Sequence, residues 1–251
     1  MFKKRGEVKK YSGFFAQKKQ LIATSTLIGT IVGAGMLGIP YAVSQAGLLY
    51  GLGLILILGL AFVLLYLMLG EVVLRTKEQH QLAGYAEKYL GAAGKRIMTL
   101  ITFVSIYGAL TAYLIGEGVS LHAIFQFGSP LLYTLIFLIV GTMIVWRGIK
   151  STGKAELYLI LSLLMVVAII GFHSIDKIEE SNLTVFNPQN FFLPYGIILF
   201  SLLGFAAVPE MQEELGKDKK LLKKSIIVGA VIPIILYLLL AFIVVGMIGE
   251  E

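Results

Sequence analysis

The chain has 251 residues, of which 57% are hydrophobic and 14% charged, and its net charge is +6. Soluble domains carry about 25% charged residues, so this composition excludes an ordinary soluble fold and predicts a protein surrounded by lipid. The sequence has no cysteine, which excludes disulfides and cysteine-ligated metals.

Seven continuous apolar segments follow a basic N-terminal tail. We predict a membrane-spanning helix for each, because a β-barrel would instead show alternating polarity in segments of about ten residues. A short amphipathic helix on the cytoplasmic surface is expected at residues 82–90, between the second and third segments. The apolar segments are residues 21–49, 51–74, 97–127, 131–146, 157–172, 191–208 and 226–248.

The positive charges lie on one side of this predicted topology. Apart from Lys177, every lysine and arginine falls in the tail or in every second gap between segments. The positive-inside rule then places the N-terminus in the cytoplasm and predicts a multi-pass protein of the plasma membrane, in contact with the lipid bilayer. A charge pattern explained by topology gives no support to nucleic-acid binding.

The first segment contains the sequence GTIVGAGMLGIP at residues 29–40. A helix over residues 21–49 would be about 43 Å long, against a hydrocarbon core of about 30 Å. Two interpretations stay open: close helix packing through Gly29 and Gly33, or a break at residues 33–35 that leaves amide and carbonyl groups available for a polar solute.

The sixth segment favours the break. In FSLLGFAAVPEMQEEL, Gly204 precedes Pro209 by five residues, as Gly35 precedes Pro40. Interrupted helices at corresponding positions indicate a transporter built from inverted repeats, and a repeat of five spans reverses the direction of the second copy.

At these residues the sequence resembles a known family. GTIVGAGMLGIPYAVSQAGLL and GFAAVPEMQEELGKDKKLLKKSIIVGAVIP are similar to the first and the sixth to seventh helices of amino-acid permeases of the amino acid–polyamine–organocation superfamily. The likeness is greatest to its aromatic and hydroxy amino-acid permeases and the related amino acid/auxin permeases. It implies uptake of amino acids driven by an ion gradient, with Na⁺ or H⁺ as the coupling ion, and no cofactor.

The resemblance also implies an all-α leucine-transporter-like fold of two inverted five-helix repeats, with helices 1 and 6 discontinuous. Residues 1–20 would be a cytoplasmic tail, 21–172 the first repeat, 173–190 an external loop and 191–251 the start of the second repeat. Such proteins need ten core helices. We therefore expect either a fragment that lacks C-terminal helices or a half-transporter that needs a complementing chain.

The expected substrate site lies at the two interruptions and is formed mainly by backbone. The amides proposed for the substrate carboxylate belong to Gly33, Ala34, Gly35 and Met36. The carbonyls proposed for its ammonium belong to Ile31, Val32, Leu203 and Gly204. The residues expected beside its side chain are Phe205, Ala206 and Ala207, whose two alanines leave room for an aromatic or large neutral amino acid.

Three further residues carry competing interpretations. Tyr107 is either a packing residue or a substrate or gate contact. Glu117 is either a functional ionisable group within a span or a solvated one beyond it. Glu210 either stabilises a helix N-terminus or carries a proton or gates.

The alternatives to a transporter are a seven-helix receptor and a non-transport membrane subunit or enzyme. Receptors place the N-terminus outside, whereas the charges place it inside. A retinal protein also needs a lysine in its last helix, and residues 226–248 contain none. The three histidines have no metal-ligand spacing and no catalytic constellation is present, so neither a metal site nor an enzyme is predicted.

Overall fold

The computed structural model describes residues 2–33, 35–146, 152–184, 186–216 and 219–248, and most of these residues are helical. This confirms the predicted all-α class. Two short 3₁₀ turns occupy Ile175–Lys177 and Pro188–Asn190. The α-helices are α1 (Phe2–Ile31), α2 (Gly35–Ala46), α3 (Leu48–Arg75), α4 (Leu82–Phe125), α5 (Pro130–Trp146), α6 (Thr152–Ser174), α7 (Glu180–Leu183), α8 (Leu193–Ser201), α9 (Ala207–Leu215) and α10 (Lys219–Ile248).

Several of these helices fit a bilayer. Within the described residues, α3, α4 and α10 are each long and apolar enough to cross a membrane. Residues 17–31 of α1 and the whole of α2 pass the same test together, as a pair bent by 52°. Helices α5 and α6 contain shorter apolar stretches. The molecule is thus an integral membrane protein, and the count of seven spans stays a prediction.

The contacts divide the chain into two compact units, residues 80–152 and residues 1–79 with 153–251. In the smaller unit α4 packs on α5, and the Thr134 hydroxyl donates to the Leu114 carbonyl at 3.2 Å. Helix α4 bends at Gly91, whose φ of 72° is one that side chains rarely adopt. A separate short helix therefore precedes Gly91, over the residues where the sequence predicts one.

The larger unit is held together by close helix packing. Helix α10 packs against α1, α2 and α3, while α2 packs on α8 and α1 on α9. A Cβ added at Gly59 of α3 would lie 2.8 Å from the Ile234 side chain of α10, so a larger residue at position 59 would require Ile234 to move. Small residues have this role in lipid, where the hydrophobic effect does not drive helices together.

The segment between α6 and α8, hereafter called the strap, makes hydrogen bonds to the ends of two helices. The Asn182 side-chain amide donates to the Gly246 carbonyl near the end of α10 at 3.1 Å. The Asn187 backbone amide donates to the Ala46 carbonyl at the end of α2 at 3.2 Å. Since the last carbonyls of a helix have no intrahelical partner, this strap satisfies acceptors on both helices.

We expect Gly38→Cys and Ile197→Cys, introduced together, to form a disulfide on mild oxidation. A Cβ at position 38 would lie 3.3 Å from the Ile197 side chain, and the natural sequence has no cysteine to compete. The measurement is the number of thiols left for alkylation, by mass spectrometry. Gly38→Cys with Tyr195→Cys is the control, because two residues along α8 turn the side chain about 200° away. Equal thiol loss in both pairs would contradict the packing of α2 on α8.

Candidate functional site at two interrupted helices

The first interruption lies between α1 and α2. The Val32 amide still donates to the Ile28 carbonyl at 2.8 Å, and the next helix begins at Gly35. The Met36 amide donates to the Gly33 carbonyl at 3.0 Å, which closes a tight turn at the start of α2. Ala34 lies outside the described residues. An interruption is therefore present where the sequence predicts one, but its bounds differ from the predicted residues 33–35, because Gly35 already belongs to α2.

The second interruption lies between α8 and α9. Helix α8 ends at Ser201 and α9 begins at Ala207, whose amide donates to the Gly204 carbonyl at 3.1 Å. Pro209 follows in the first turn of α9, where a helix loses nothing by the missing N–H. The sequence predicted this interruption too.

The two interruptions lie against each other. A Cβ added at Gly204 would be 2.6 Å from a side-chain carbon of Ile31, and one added at Gly35 would be 3.0 Å from the Ser201 Cα. Contacts this short leave no room for a side chain at either glycine unless its neighbour moves. The structure therefore brings together the two chain segments expected to share a substrate.

Two buried tyrosines hold the carbonyls at the interruptions. The Tyr237 hydroxyl of α10 lies 2.9 Å from the Ile31 carbonyl oxygen and 2.9 Å from that of Ser201. The Tyr66 hydroxyl of α3 donates to the Leu202 carbonyl. Both side chains are fully buried. Sequence reasoning missed both residues. A signal was available, because a tyrosine in the middle of an apolar segment needs a hydrogen-bond partner for its hydroxyl.

The helix halves on either side of the interruptions are paired. On one side α2 packs on α8. On the other side α1 packs on α9, where the Thr26 hydroxyl donates to a Glu214 carboxylate oxygen at 3.3 Å. Each pair thus combines one half of the first interrupted helix with one half of the second.

An aromatic cluster adjoins the second interruption. The Phe205 ring centroid lies 4.9 Å from that of Tyr66 and 5.5 Å from that of Phe62, and both partners are on α3. Ala206 is exposed, whereas Ala207 is buried in the first turn of α9. Of the three residues expected beside a substrate side chain, Phe205 and Ala206 are thus the more accessible.

The remaining backbone candidates differ in burial and bonding. Val32, Gly33, Gly35 and Leu203 are half-buried, and Ile31, Met36 and Gly204 are buried. Tyr237 already lies at hydrogen-bonding distance from the Ile31 carbonyl, and the Ala207 amide donates to that of Gly204. Because a carbonyl oxygen has two lone pairs, each keeps capacity for a second donor.

The other three candidates lie on α4 and α9. Tyr107 and Glu117 are exposed residues of α4 in the smaller unit, where the Tyr107 ring stacks on Phe103 with centroids 6.2 Å apart. Glu210 is exposed in the first turn of α9, where the helix dipole favours a carboxylate. Among the described residues, no group of three or more histidine, aspartate or glutamate side chains is placed to hold a metal ion.

A cavity of about 330 Å³ lies apart from the interruptions, between α6 and α10. Its lining is apolar and includes Phe172 of α6 and Ile243 of α10. A zwitterion needs charged or hydrogen-bonding partners when it leaves water, so this cavity does not suit one.

Residues 16–251 match the tryptophan/tyrosine permease family. Tyrosine-specific transport system 1 of Haemophilus influenzae is 30% identical over 88% of this chain and 56% of its own length. Tyrosine-specific transport system 2 of the same organism is 28% identical over 90% of this chain and 57% of its own. Glutamine transporter 2 of Aliivibrio fischeri is 26% identical over 88% and 59%.

The chain thus spans a little over half the length of these curated relatives. No solved structure matches it.

We expect Gly204→Ala to lower the unfolding free energy by about 1–3 kcal/mol, because the added methyl group would overlap Ile31 and lie 3.1 Å from the Tyr66 hydroxyl. Thermal unfolding in detergent micelles measures this as a lower Tm. The control is Gly53→Ala on α3, where an added Cβ meets nothing within 4 Å. An unchanged Tm in the Gly204 variant would contradict the close approach of the two interruptions.

Proposed function

The chain belongs to the tryptophan/tyrosine permease family, and we propose that it is a secondary active transporter for an aromatic or large neutral amino acid. Members and relatives of this family are permeases and transporters rather than enzymes. The observation that carries the proposal is the contact between two interrupted helices, whose ends present backbone groups of both polarities at one place.

The amides of Gly33–Met36 would bind the substrate carboxylate. The first amides of a helix have no intrahelical partner, and the positive end of the helix dipole favours an anion there. Gly35 opens α2, and its half-buried backbone is accessible. The Met36 amide donates to Gly33 in this structure, so carboxylate binding would replace that bond.

The carbonyls of Ile31, Val32, Leu203 and Gly204 would bind the substrate ammonium. They lie at the ends of two helices that meet, so acceptors from both would surround one cation. Hydrogen bonds to a charged group stabilise by about 1.5–3 kcal/mol each, which is enough for selective recognition of an amine.

Phe205 and Ala206 would contact the substrate side chain. The aromatic partners of Phe205 favour a substrate with a ring, because offset and edge-to-face ring pairs stabilise beyond their buried area. Two relatives are named as tyrosine-specific, which supports this choice, and the relative named as a glutamine transporter makes glutamine the competing substrate to test.

Transport would proceed by ion-coupled alternating access in the plasma membrane, with the N-terminus in the cytoplasm. The pairing of α1 with α9 and of α2 with α8 supports this mechanism, since each pair could move as a unit about the interruptions. The coupling ion is Na⁺ or H⁺. Glu117 and Glu210 are the proposed proton carriers or gating residues, and Tyr107 is a proposed substrate or gate contact.

The protein in liposomes should accumulate labelled tyrosine when an inward gradient of the coupling ion is imposed. Separate Na⁺ and proton gradients, each abolished by its ionophore, identify the ion. Competition by excess tryptophan, phenylalanine or glutamine ranks the substrates. Absence of both gradient-driven uptake and binding of every amino acid tested would contradict the proposed function and favour the receptor or non-transport subunit.

We expect Gly35→Leu to abolish uptake without preventing membrane insertion. The leucine side chain would enter the space occupied by Ser201 and separate the interruptions. Gly53→Leu is the matched control, since its position on α3 has open space around it. Uptake in liposomes and the amount of protein in the membrane fraction are measured together. Unimpaired uptake by the Gly35 variant would refute the site.

A further inference from the structure

Tyr237 connects two interrupted helices that are far apart in the sequence. Its hydroxyl oxygen lies 2.9 Å from the Ile31 carbonyl oxygen, at the end of α1, and 2.9 Å from the Ser201 carbonyl oxygen, at the end of α8. The side chain itself comes from α10 and is fully buried. The three groups therefore make up a small buried polar junction.

One hydroxyl cannot donate a full hydrogen bond to both carbonyl oxygens of this junction at the same time. A phenol has a single hydrogen, so at any moment it is donated to one carbonyl or shared between two. The two carbonyl oxygens carry partial negative charges of the same sign and repel each other when no donor lies between them. The hydroxyl thus has two effects: it attracts both interruptions toward one point, and it leaves acceptor capacity on each.

Tyr66 provides a contrast within the same structure. It is also a fully buried tyrosine on an uninterrupted helix, and its hydroxyl donates to the Leu202 carbonyl at the second interruption. That hydrogen bond reaches the second interruption and not the first. The two tyrosines share their chemistry and differ in whether they connect both interruptions.

We propose that Tyr237 is a positioning residue that sets the separation of the two interruptions, and thereby the spacing of the carbonyls that receive the substrate ammonium. The inference rests on the proposed function and adds a residue to it. Tyr237 acts through the backbone of Ile31 and Ser201. The part of the substrate that depends on it is the amino group, and not the carboxylate or the ring.

The test compares tyrosine with 3-(4-hydroxyphenyl)propionate, which has the same ring and carboxylate but no amino group. Competition against labelled tyrosine gives both affinities for the protein in liposomes. We expect Tyr237→Phe to weaken tyrosine binding on the order of 10-fold. The displaced carbonyls would lose about one hydrogen bond to the substrate ammonium, and a bond to a charged group has this effect on affinity. The affinity for the amine-free compound should stay within about twofold, and the number of binding sites should be unchanged.

Tyr50→Phe is the matched control, because the Tyr50 hydroxyl donates to the Phe191 carbonyl, just before the start of α8 and away from both interruptions. Its ratio of the two affinities should equal that of the wild type. Equal weakening of both compounds in Tyr237→Phe, or the same change of ratio in Tyr50→Phe, would show a structural role only and overturn the inference while tyrosine binding still supports the proposed function. If the wild type binds neither compound, the proposed function fails and this inference with it.

A second variant covers the case in which Tyr237→Phe does not reach the membrane. 4-Aminophenylalanine at position 237 keeps the ring and offers two N–H hydrogens, one for each carbonyl. We expect it to retain the wild-type ratio of affinities within about threefold. A tenfold change in the ratio, with the junction still supplied with donors, would overturn the inference.

Discussion

Every backbone amide and carbonyl within a bilayer needs a partner inside the protein, and this constraint governs the whole structure. Helices α1–α2 and α8–α9 break the rule locally, because each stops and restarts within an apolar segment. Three of the carbonyls at these breaks, those of Ile31, Ser201 and Leu202, lie within hydrogen-bonding distance of tyrosine hydroxyls from α3 and α10, which run without interruption. The continuous helices therefore stabilise the broken ones, and a site made of backbone can persist in lipid.

The sequence was informative about the interruptions because glycine and proline act locally. Gly35 and Pro40, repeated as Gly204 and Pro209, have the same effect on a helix whatever packs around it. The partners of the exposed carbonyls could not be predicted in this way. A tyrosine such as Tyr237 is recognisable as needing a partner, but which carbonyl it reaches depends on which helices pack together.

Segment ends show a second limit of sequence reasoning. The sixth apolar segment ends at residue 208, where the chain becomes acidic, yet α9 continues to Leu215. Met211 and Gln212 are buried there, so a helical face persists after the hydropathy has fallen. Likewise Gly91 separates a short helix from the long part of α4. The candidates Tyr107 and Glu117 lie on that long part, within the smaller unit. Average polarity along the chain cannot distinguish a buried face from an exposed one.

The strap between α6 and α8 links the ends of α2 and α10 through backbone and asparagine amides. These hydrogen bonds lie at helix termini and not within the apolar helix interiors. Loss of the strap would therefore remove hydrogen-bond partners from the ends of two helices at once. The end of α2 thus depends on a segment that follows it much later in the sequence.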